Sequence, residues 1–400
     1  MSAKLPANTE PTLDLGSLPF AEGGFMAVER ALRLIEKGQS LTVISAEPEI
    51  DIHLAAWCRQ KGCSFSQLST GKYAIERPLH FAVRGSTAER AGDASTPVAC
   101  APEHWGLAAR GALVERGIHG FYFPINRSDH IWTSRMAALY RRAAAAQWNP
   151  ETALNWNAVI ENTSEIEDAV VQVMTYLIEN ETAALIIPAR FAARVHPHYF
   201  EVMQLLAIQA SDEARHIEVF SRRARLNRQV LGLSTAGGQA SLRTLIDESD
   251  FSLATLLLSV LGEGSFLSLL QFLRKYAPDP LTRQICRLAA KDEARHVLFA
   301  MTHLTAAVRQ QSDLRQKFAA AIRRRHEALT ATAGLNEEVF YSLTLIAAGK
   351  TTPEALAAGH RAVKRLERFM FTGRVRRLRQ LGFTEKEAQS LSALHTRNFM

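Results

Sequence analysis

The pentapeptide DEARH occurs twice in this chain, at residues 212–216 and 292–296. Each copy sets a Glu and a His three residues apart, Glu213 with His216 and Glu293 with His296. On an α-helix that interval puts both side chains on one face, one turn apart, where a carboxylate and an imidazole can share one metal ion. A single Glu-x-x-His is common on solvated helix faces and decides nothing. The repetition extends beyond the motif, however. Glu181 precedes Glu213 by 32 residues, and Glu263 precedes Glu293 by 30. Those intervals fit a helix, a turn and a second helix returning to the same height. Two such hairpins predict helices at about 164–194, 198–229, 249–277 and 280–310. Accidental repetition among four amphipathic helices with charged, solvated faces is the competing reading.

Four helices carrying Glu181, Glu213 with His216, Glu263, and Glu293 with His296 resemble the ferritin-like di-iron family. The resemblance covers residues from about 130 to 310. QWNPETALNW, at residues 147–156, also resembles the lead-in of oxygenase-type members. The family likeness implies a carboxylate-bridged pair of iron ions, with manganese in place of one iron left open. The implied ligands are Glu181, Glu213, His216, Glu263, Glu293 and His296, with no catalytic residue beyond them. Carboxylates with imidazoles suit iron or manganese, whereas structural zinc favours thiolates. Glu179 rivals Glu181, but residues two apart on a helix point away from each other, and the repeat alignment favours Glu181. A ligating His is normally braced through its other ring nitrogen. By the likeness, Asp212 braces His296 and Asp292 braces His216, while Arg215 and Arg295 neutralise the aspartates or lie on the surface. Leu185, Phe220, Phe266, Leu267 and Leu270 either line a substrate cavity or belong to the core.

A site of this kind activates dioxygen. The resemblance therefore implies a non-haem di-iron oxidoreductase that oxygenates or oxidises a small organic substrate, with O2 as co-substrate and electrons from a donor protein or reductant. A monooxygenase is one form of this. Phe220 stands where the ribonucleotide reductase small subunit keeps a radical tyrosine, which argues against that role. Ala289 stands where amine N-oxygenases add a histidine. The paired Cys-x-x-Cys iron domain of rubrerythrins is absent, and ferritin cages lack the flanking segments present here. An amine N-oxygenase and a non-enzymatic metal-binding scaffold remain as alternatives.

Between residues 13 and 78 the pattern changes to short strands alternating with helices. TLDLGSL, SLTVISAE and FSQLSTGKYAIERP read as strands, the last as a hairpin-like pair, and FMAVERALRLIEKG and EIDIHLAAWCRQKGC as helices. This β-α-β-α-β-β order makes a small two-layer α/β domain. Leu13-Asp14, Ala46-Glu47-Pro48 and DIHLAAWCRQKGCSF (residues 51–65) resemble the TusA/SirA-like sulfur-carrier family. Those carriers use a Cys-Pro dipeptide at the first helix N-terminus, where N–H groups and the helix dipole stabilise a thiolate. Here the stretch is Gly16-Ser17-Leu18-Pro19-Phe20, without a cysteine. The resemblance then implies a docking or gating module rather than a sulfur transferase.

The expected fold is thus mainly α: a ferritin-like four-helix di-iron bundle with extra helices, preceded by a two-layer α/β TusA-like domain. Residues 1–83 form the α/β domain, with the first ten disordered. Residues 84–127 are a linker and covering segment, 128–312 the bundle, and 313–400 a helical cap. A helix is expected over about 129–146, packed outside the bundle. Thr163, Ser164 and Glu167 suggest a capping box, Pro188 a kink or boundary near Ile187, and STAGGQ (234–239) the crossover between hairpins.

The 47% hydrophobic and 22% charged fractions are ordinary for a globular chain. Cys58, Cys63, Cys100 and Cys286 show neither zinc spacing nor a disulfide framework, which suggests a reduced compartment. No signal peptide is visible, and the apolar runs, such as residues 253–261, read as too short to span a bilayer. A cytoplasmic location without membrane contact is expected; a homodimer is left open. The net charge is +7, with the excess concentrated between 361 and 379. No nucleic-acid-binding fold or aromatic stacking platform accompanies it. That block reads as a solvated basic face, or as a dock for an acidic redox partner.

Overall fold

The computed structural model describes residues 10–79, 81, 88–330 and 337–394. It divides into two compact units, Met1–Arg90 with Leu113–Arg116, and Ala91–Ala112 with Gly117–Met400. The first ten residues, read as disordered, lie outside the described residues except Glu10.

The first unit contains β1 (Thr12–Asp14), α1 (Gly24–Leu34), β2 (Ser40–Ile44), α2 (Ile50–Lys61), β3 (Ser64–Ser69) and β4 (Lys72–Glu76). Its sheet runs β1-β2-β4-β3, with β1 parallel to β2 and the remaining pairs antiparallel. A parallel pair needs a crossover, and α1 supplies it. Val28 and Leu32, four apart on α1, are buried with Ile50, Leu54 and Trp57 of α2 against Leu41, Val43 and Ile75 of the sheet. Gly62 ends α2 in the left-handed region at φ 69°, which a residue without Cβ adopts freely. Before α1, the Phe20 N–H donates to Glu47 Oε2 at 2.7 Å, so a carboxylate sits where the first helix begins. A two-residue ribbon, β5 (Glu89–Arg90) with β6 (Leu113–Val114), completes the unit.

The second unit is helical. Two short helices, α3 (Ser128–Ile131) and α4 (Met136–Ala145), replace the single helix expected over 129–146, because Trp132 between them is extended. After α5 (Pro150–Ala153) come the long hairpins: α6 (Ser164–Ala192) with α7 (Phe200–Ala224), and a compound helix over Phe251–Tyr276 with α11 (Pro280–Gln310). The compound helix consists of α9 (Phe251–Thr255), a π-helical stretch Leu256–Glu263, and α10 (Gly264–Tyr276). Beyond the bundle lie α12 (Leu314–Thr330), α13 (Glu337–Ala348), α14 (Pro353–Gln380) and α15 (Glu385–Ala393).

Several local expectations give way to tertiary structure. The helix α6 continues through Pro188 to Ala192 without a boundary. STAGGQ is no loop: Thr235 Oγ1 accepts the Gly238 N–H at 3.0 Å and starts an extra helix, α8 (Ala236–Ile246). Thr163 is the N-cap of α6 but makes no side-chain cap, and Glu167, four residues on, turns its carboxylate to Arg223 instead. Residues 91–104, composed like a linker, are fastened down instead. Ala91 and Ala101 are fully buried, the Val98 N–H donates to His198 Nε2 at 3.0 Å, and Tyr199 Oη donates to Val98 O at 3.1 Å. Of the rest of the expected linker, residues 84–90, Glu89–Arg90 form β5 and 84–87 lie outside the described residues. Finally, Ser164–Ala192 and Phe251–Tyr276 are long and apolar enough to cross a bilayer by length and composition, contrary to the reading of the short runs. Their most apolar windows are 67% and 89% buried within the fold, so that apolarity is spent on the core.

Glu167 belongs to a buried ion network. Arg223 Nη1 donates to Glu167 Oε1 at 2.6 Å, Arg223 Nη2 to Asp279 Oδ2 at 2.8 Å, and Arg223 Nε to Thr282 Oγ1 at 2.7 Å. These contacts join α6, α7 and the start of α11. Removing the guanidinium would leave two carboxylates buried and unpaired. Arg223→Met is therefore expected to lower the unfolding free energy by about 3–5 kcal/mol in urea titration; a loss below about 1 kcal/mol would contradict this role.

Candidate metal centre

Six side chains predicted from the repeat meet inside the bundle. Glu181 comes from α6, Glu213 and His216 from α7, Glu263 from the end of the π-helical stretch, and Glu293 and His296 from α11. None is more than 4% exposed. Their ligand atoms form two interlocking groups, each spanning no more than 4.8 Å. Glu181, Glu213, His216 and Glu293 make one; Glu213, Glu263, Glu293 and His296 make the other. Glu213 and Glu293 belong to both, as bridging carboxylates would. Glu179 is half-buried and outside both groups.

Each imidazole turns Nδ1 inward. His216 Nδ1 lies 3.0 Å from Glu213 Oε2, 3.5 Å from Glu293 Oε1 and 3.6 Å from Glu181 Oε1. His296 Nδ1 lies 3.1 Å from Glu213 Oε1, 3.5 Å from Glu293 Oε2 and 4.0 Å from Glu263 Oε1. The ring's other nitrogen faces outward to an aspartate on the opposite hairpin. His216 Nε2 donates to Asp292 Oδ2, and His296 Nε2 to Asp212 Oδ2, both at 3.1 Å.

Whether a metal pair fits can be judged from what the cluster leaves unsatisfied. Glu181 Oε1, Glu213 Oε1, Glu263 Oε2, both Glu293 oxygens and His296 Nδ1 are buried without a hydrogen-bond partner. Native interiors rarely tolerate such atoms without a reason. Burial first, and then the neighbouring charges of Glu213 and Glu293, push the Glu181 and Glu263 carboxyls well above their usual range. Burial would lower both imidazoles, yet Glu181 raises His216 and Glu213 raises His296 well above the normal value. Burial would likewise raise Glu213, but His296 and His216 hold it below the usual carboxylate range. The cluster thus carries more negative charge than its interior site can bear and compensates by holding protons. Two divalent cations would match four carboxylates in charge, occupy the unsatisfied atoms and displace those protons.

The surroundings combine the two arginines read from sequence with residues that it did not single out. Arg215 Nη2 pairs with Asp212 and reaches Asp292 Oδ2 at 3.0 Å; Arg295 Nη2 pairs with Asp292 and reaches Asp212 Oδ2 at 3.3 Å. Neither arginine is a free surface charge. Gln147 Nε2 donates to Asp212 Oδ1 at 2.8 Å, and Trp148 Nε1 donates to Asp292 Oδ2 at 2.7 Å. Both lie in the 147–156 stretch, whose family likeness was legible but whose contacts were not. Gln209 Nε2 donates to Glu263 Oε1 at 2.7 Å. Its one signal was its place four residues before Glu213 on the same helical face. A pocket beside His296 runs between α4, α7 and α11, lined by apolar Leu139, Ala143, Leu205, Ile208, Leu298 and Phe299, with Gln209, Arg142 and Arg295 as its polar groups. None of the five residues proposed from sequence as cavity lining borders it; Phe220, Phe266 and Leu270 are core, and Leu185 and Leu267 are partly buried.

The fold has solved counterparts. A variant of an R2-like ligand-binding oxidase with aerobically reconstituted Mn/Fe cofactor superposes at a TM-score of 0.50 and 18% identity, over 63% of this chain and 95% of that one. Another variant of such an oxidase, with aerobically reconstituted Fe/Fe cofactor, gives 0.49 at 18% identity over 61% and 92%. At this identity the likeness establishes the ferritin-like helical fold. No protein-family model and no curated protein matches the sequence.

If Asp212 and Asp292 orient the imidazoles, Asp212→Ala and Asp292→Ala keep all six inward groups but release one ring each. Retention of ferrous iron under dialysis should weaken about 10–100-fold in either variant. The Asn counterparts should be milder, because an amide oxygen still accepts the imidazole N–H. Wild-type retention in both Ala variants would contradict the bracing role.

Proposed function

We propose that this chain is an oxidoreductase that holds a di-iron or manganese–iron pair at these six residues and uses dioxygen to oxidise or oxygenate a small organic substrate. The single observation behind this reading is the pair of interlocking buried groups sharing Glu213 and Glu293, with unsatisfied oxygens aimed at one another. The Fe/Fe and Mn/Fe cofactors of the structurally similar oxidases support it. The chemistry such a pair supplies when bound is the reduction and activation of dioxygen.

The chain's own residues do the rest. Asp212 and Asp292 fix the imidazole orientation, and Arg215 and Arg295 balance the aspartates' charge. The largely apolar pocket beside His296 is the candidate place for an apolar substrate, with Arg142 and Gln209 available to a polar end. Phe220 and Ala289, both fully buried, leave neither a tyrosine nor an added histidine at the positions that would favour a radical subunit or an amine N-oxygenase. The same reading takes residues 1–83 as a TusA-like docking module without its thiol, 128–312 as the metal bundle and 313–400 as its cap. An electron-donor protein and a cytoplasmic setting complete it.

Chain loaded anaerobically with ferrous iron should consume oxygen when exposed to air with a reductant. Glu213→Ala should reduce that rate at least about tenfold, since it removes a carboxylate shared by both groups. Bound iron with no oxygen uptake in the wild-type chain would favour the scaffold reading instead.

A further inference from the structure

Two arginines, Arg374 buried and Arg377 half-buried, play no part in the metal-centre reading. Arg374 and Arg377 stand one turn apart on α14, and among the described residues neither pairs with a carboxylate. Burial pushes Arg377 down to about 10, and burial with the neighbouring Arg377 charge pushes Arg374 down to about 9. A buried cation without an anion is costly, so what it touches matters. Both donate into the compound helix around Glu263. Arg377 Nε donates to Val260 O at 2.7 Å. Arg374 Nη1 donates to Ser265 Oγ at 3.2 Å, and that hydroxyl donates to Leu261 O at 2.7 Å.

The place of contact is where the helix changes register. Along Leu256–Glu263 the backbone is π-helical, and the Gly264 N–H still bonds five residues back, to Ser259 O. From there the α-helical pattern resumes. A return from five-residue to four-residue bonding leaves a carbonyl short of an amide donor. Val260, the residue after Ser259, is the one whose carbonyl receives Arg377. The same guanidinium explains Gly264. A Cβ there would lie 2.5 Å from Arg377 Nε and 2.6 Å from Nη2, so any other residue would push the guanidinium out of this seat. Were the widened turn lost, one side of the helix would rotate against the other by about 100°, turning Glu263 away from its partners.

We propose that Arg377, seated against Gly264, is a positioning residue that holds the π-helical turn and thereby sets where the Glu263 carboxylate enters the cluster. The inference deepens the metal-centre reading and rests on it. Glu263 belongs only to the group that includes His296, so the effect should fall on one metal position and spare the other. It also gives the C-terminal helices a task beyond covering the bundle.

The test is anaerobic ferrous titration of the full chain, followed by Mössbauer spectroscopy of the iron-loaded protein. Arg377→Met and Gly264→Ala should keep the first ion at wild-type affinity, weaken the second at least tenfold, and change the quadrupole doublet of one iron. Arg377→Lys, whose ammonium can still donate to Val260 O, should recover part of the second affinity. Arg325→Met serves as the control, because Arg325 is likewise half-buried but donates to Ser241 and Thr244 instead. It should lower the melting temperature and leave both ions and both doublets unchanged. Should Arg377→Met not fold, Arg377→Lys and Gly264→Ala carry the test. Two ions at wild-type affinity with an unchanged spectrum in the folded variants would overturn the assignment. So would equal metal loss in the Arg325 control. A wild-type chain that binds no metal would instead bring down the metal-centre reading, and this assignment with it.

Discussion

The structure depends on four carboxylates brought together where water cannot reach them. A buried, ionised carboxylate is among the costliest groups to place in a protein interior. Glu181, Glu213, Glu263 and Glu293 are each nearly inaccessible, and Glu213 and Glu293 lie within 4.8 Å of each other and of both remaining carboxylates. Two imidazoles and bound protons can offset that charge only partly, and several oxygens stay without any partner. Such a cluster makes physical sense when a cation of higher charge belongs at its centre. The surrounding helices then hold a geometry that the ion-free chain would not choose for stability alone.

Layers of polar contacts surround that cluster. The two aspartates lock the imidazoles from outside, crosswise between hairpins. Arg215, Arg295, Gln147 and Trp148 hold the aspartates in turn, so the segment before the bundle closes over the open end of the motif pair. Where α6 and α11 begin and α7 ends, Arg223 gathers Glu167, Asp279 and Thr282 and ties three helices together. Arginine suits both tasks, since a planar fork with five donors can satisfy several oxygens from one position.

How much of this was legible depended on the range of the interaction. The six inward residues were readable because helical periodicity and an internal repeat encode them locally. The choice of Glu181 over Glu179 followed from the repeat alignment. The strand and helix order of the N-terminal unit was readable from alternation and turn residues. What stayed hidden lies far apart in sequence: Trp148 with Asp292, Gln209 with Glu263, Arg377 with Val260. Local rules also misled where tertiary demands prevailed. Glu167 stands in the third position of an apparent capping box, yet a buried arginine takes its carboxylate. The composition of residues 91–104 reads as a linker, although the segment is packed under Tyr199 and His198.

The central claim is that the chain holds two metal ions at these six side chains, and counting them is its most direct test. A crystal of the full chain loaded anaerobically with ferrous iron, measured on both sides of the iron absorption edge, would show each ion by its anomalous signal. The account predicts two peaks, one bounded by Glu181, Glu213, His216 and Glu293 and the other by Glu213, Glu263, Glu293 and His296. No peak in the bundle, or a single ion bound elsewhere in the chain, would contradict it.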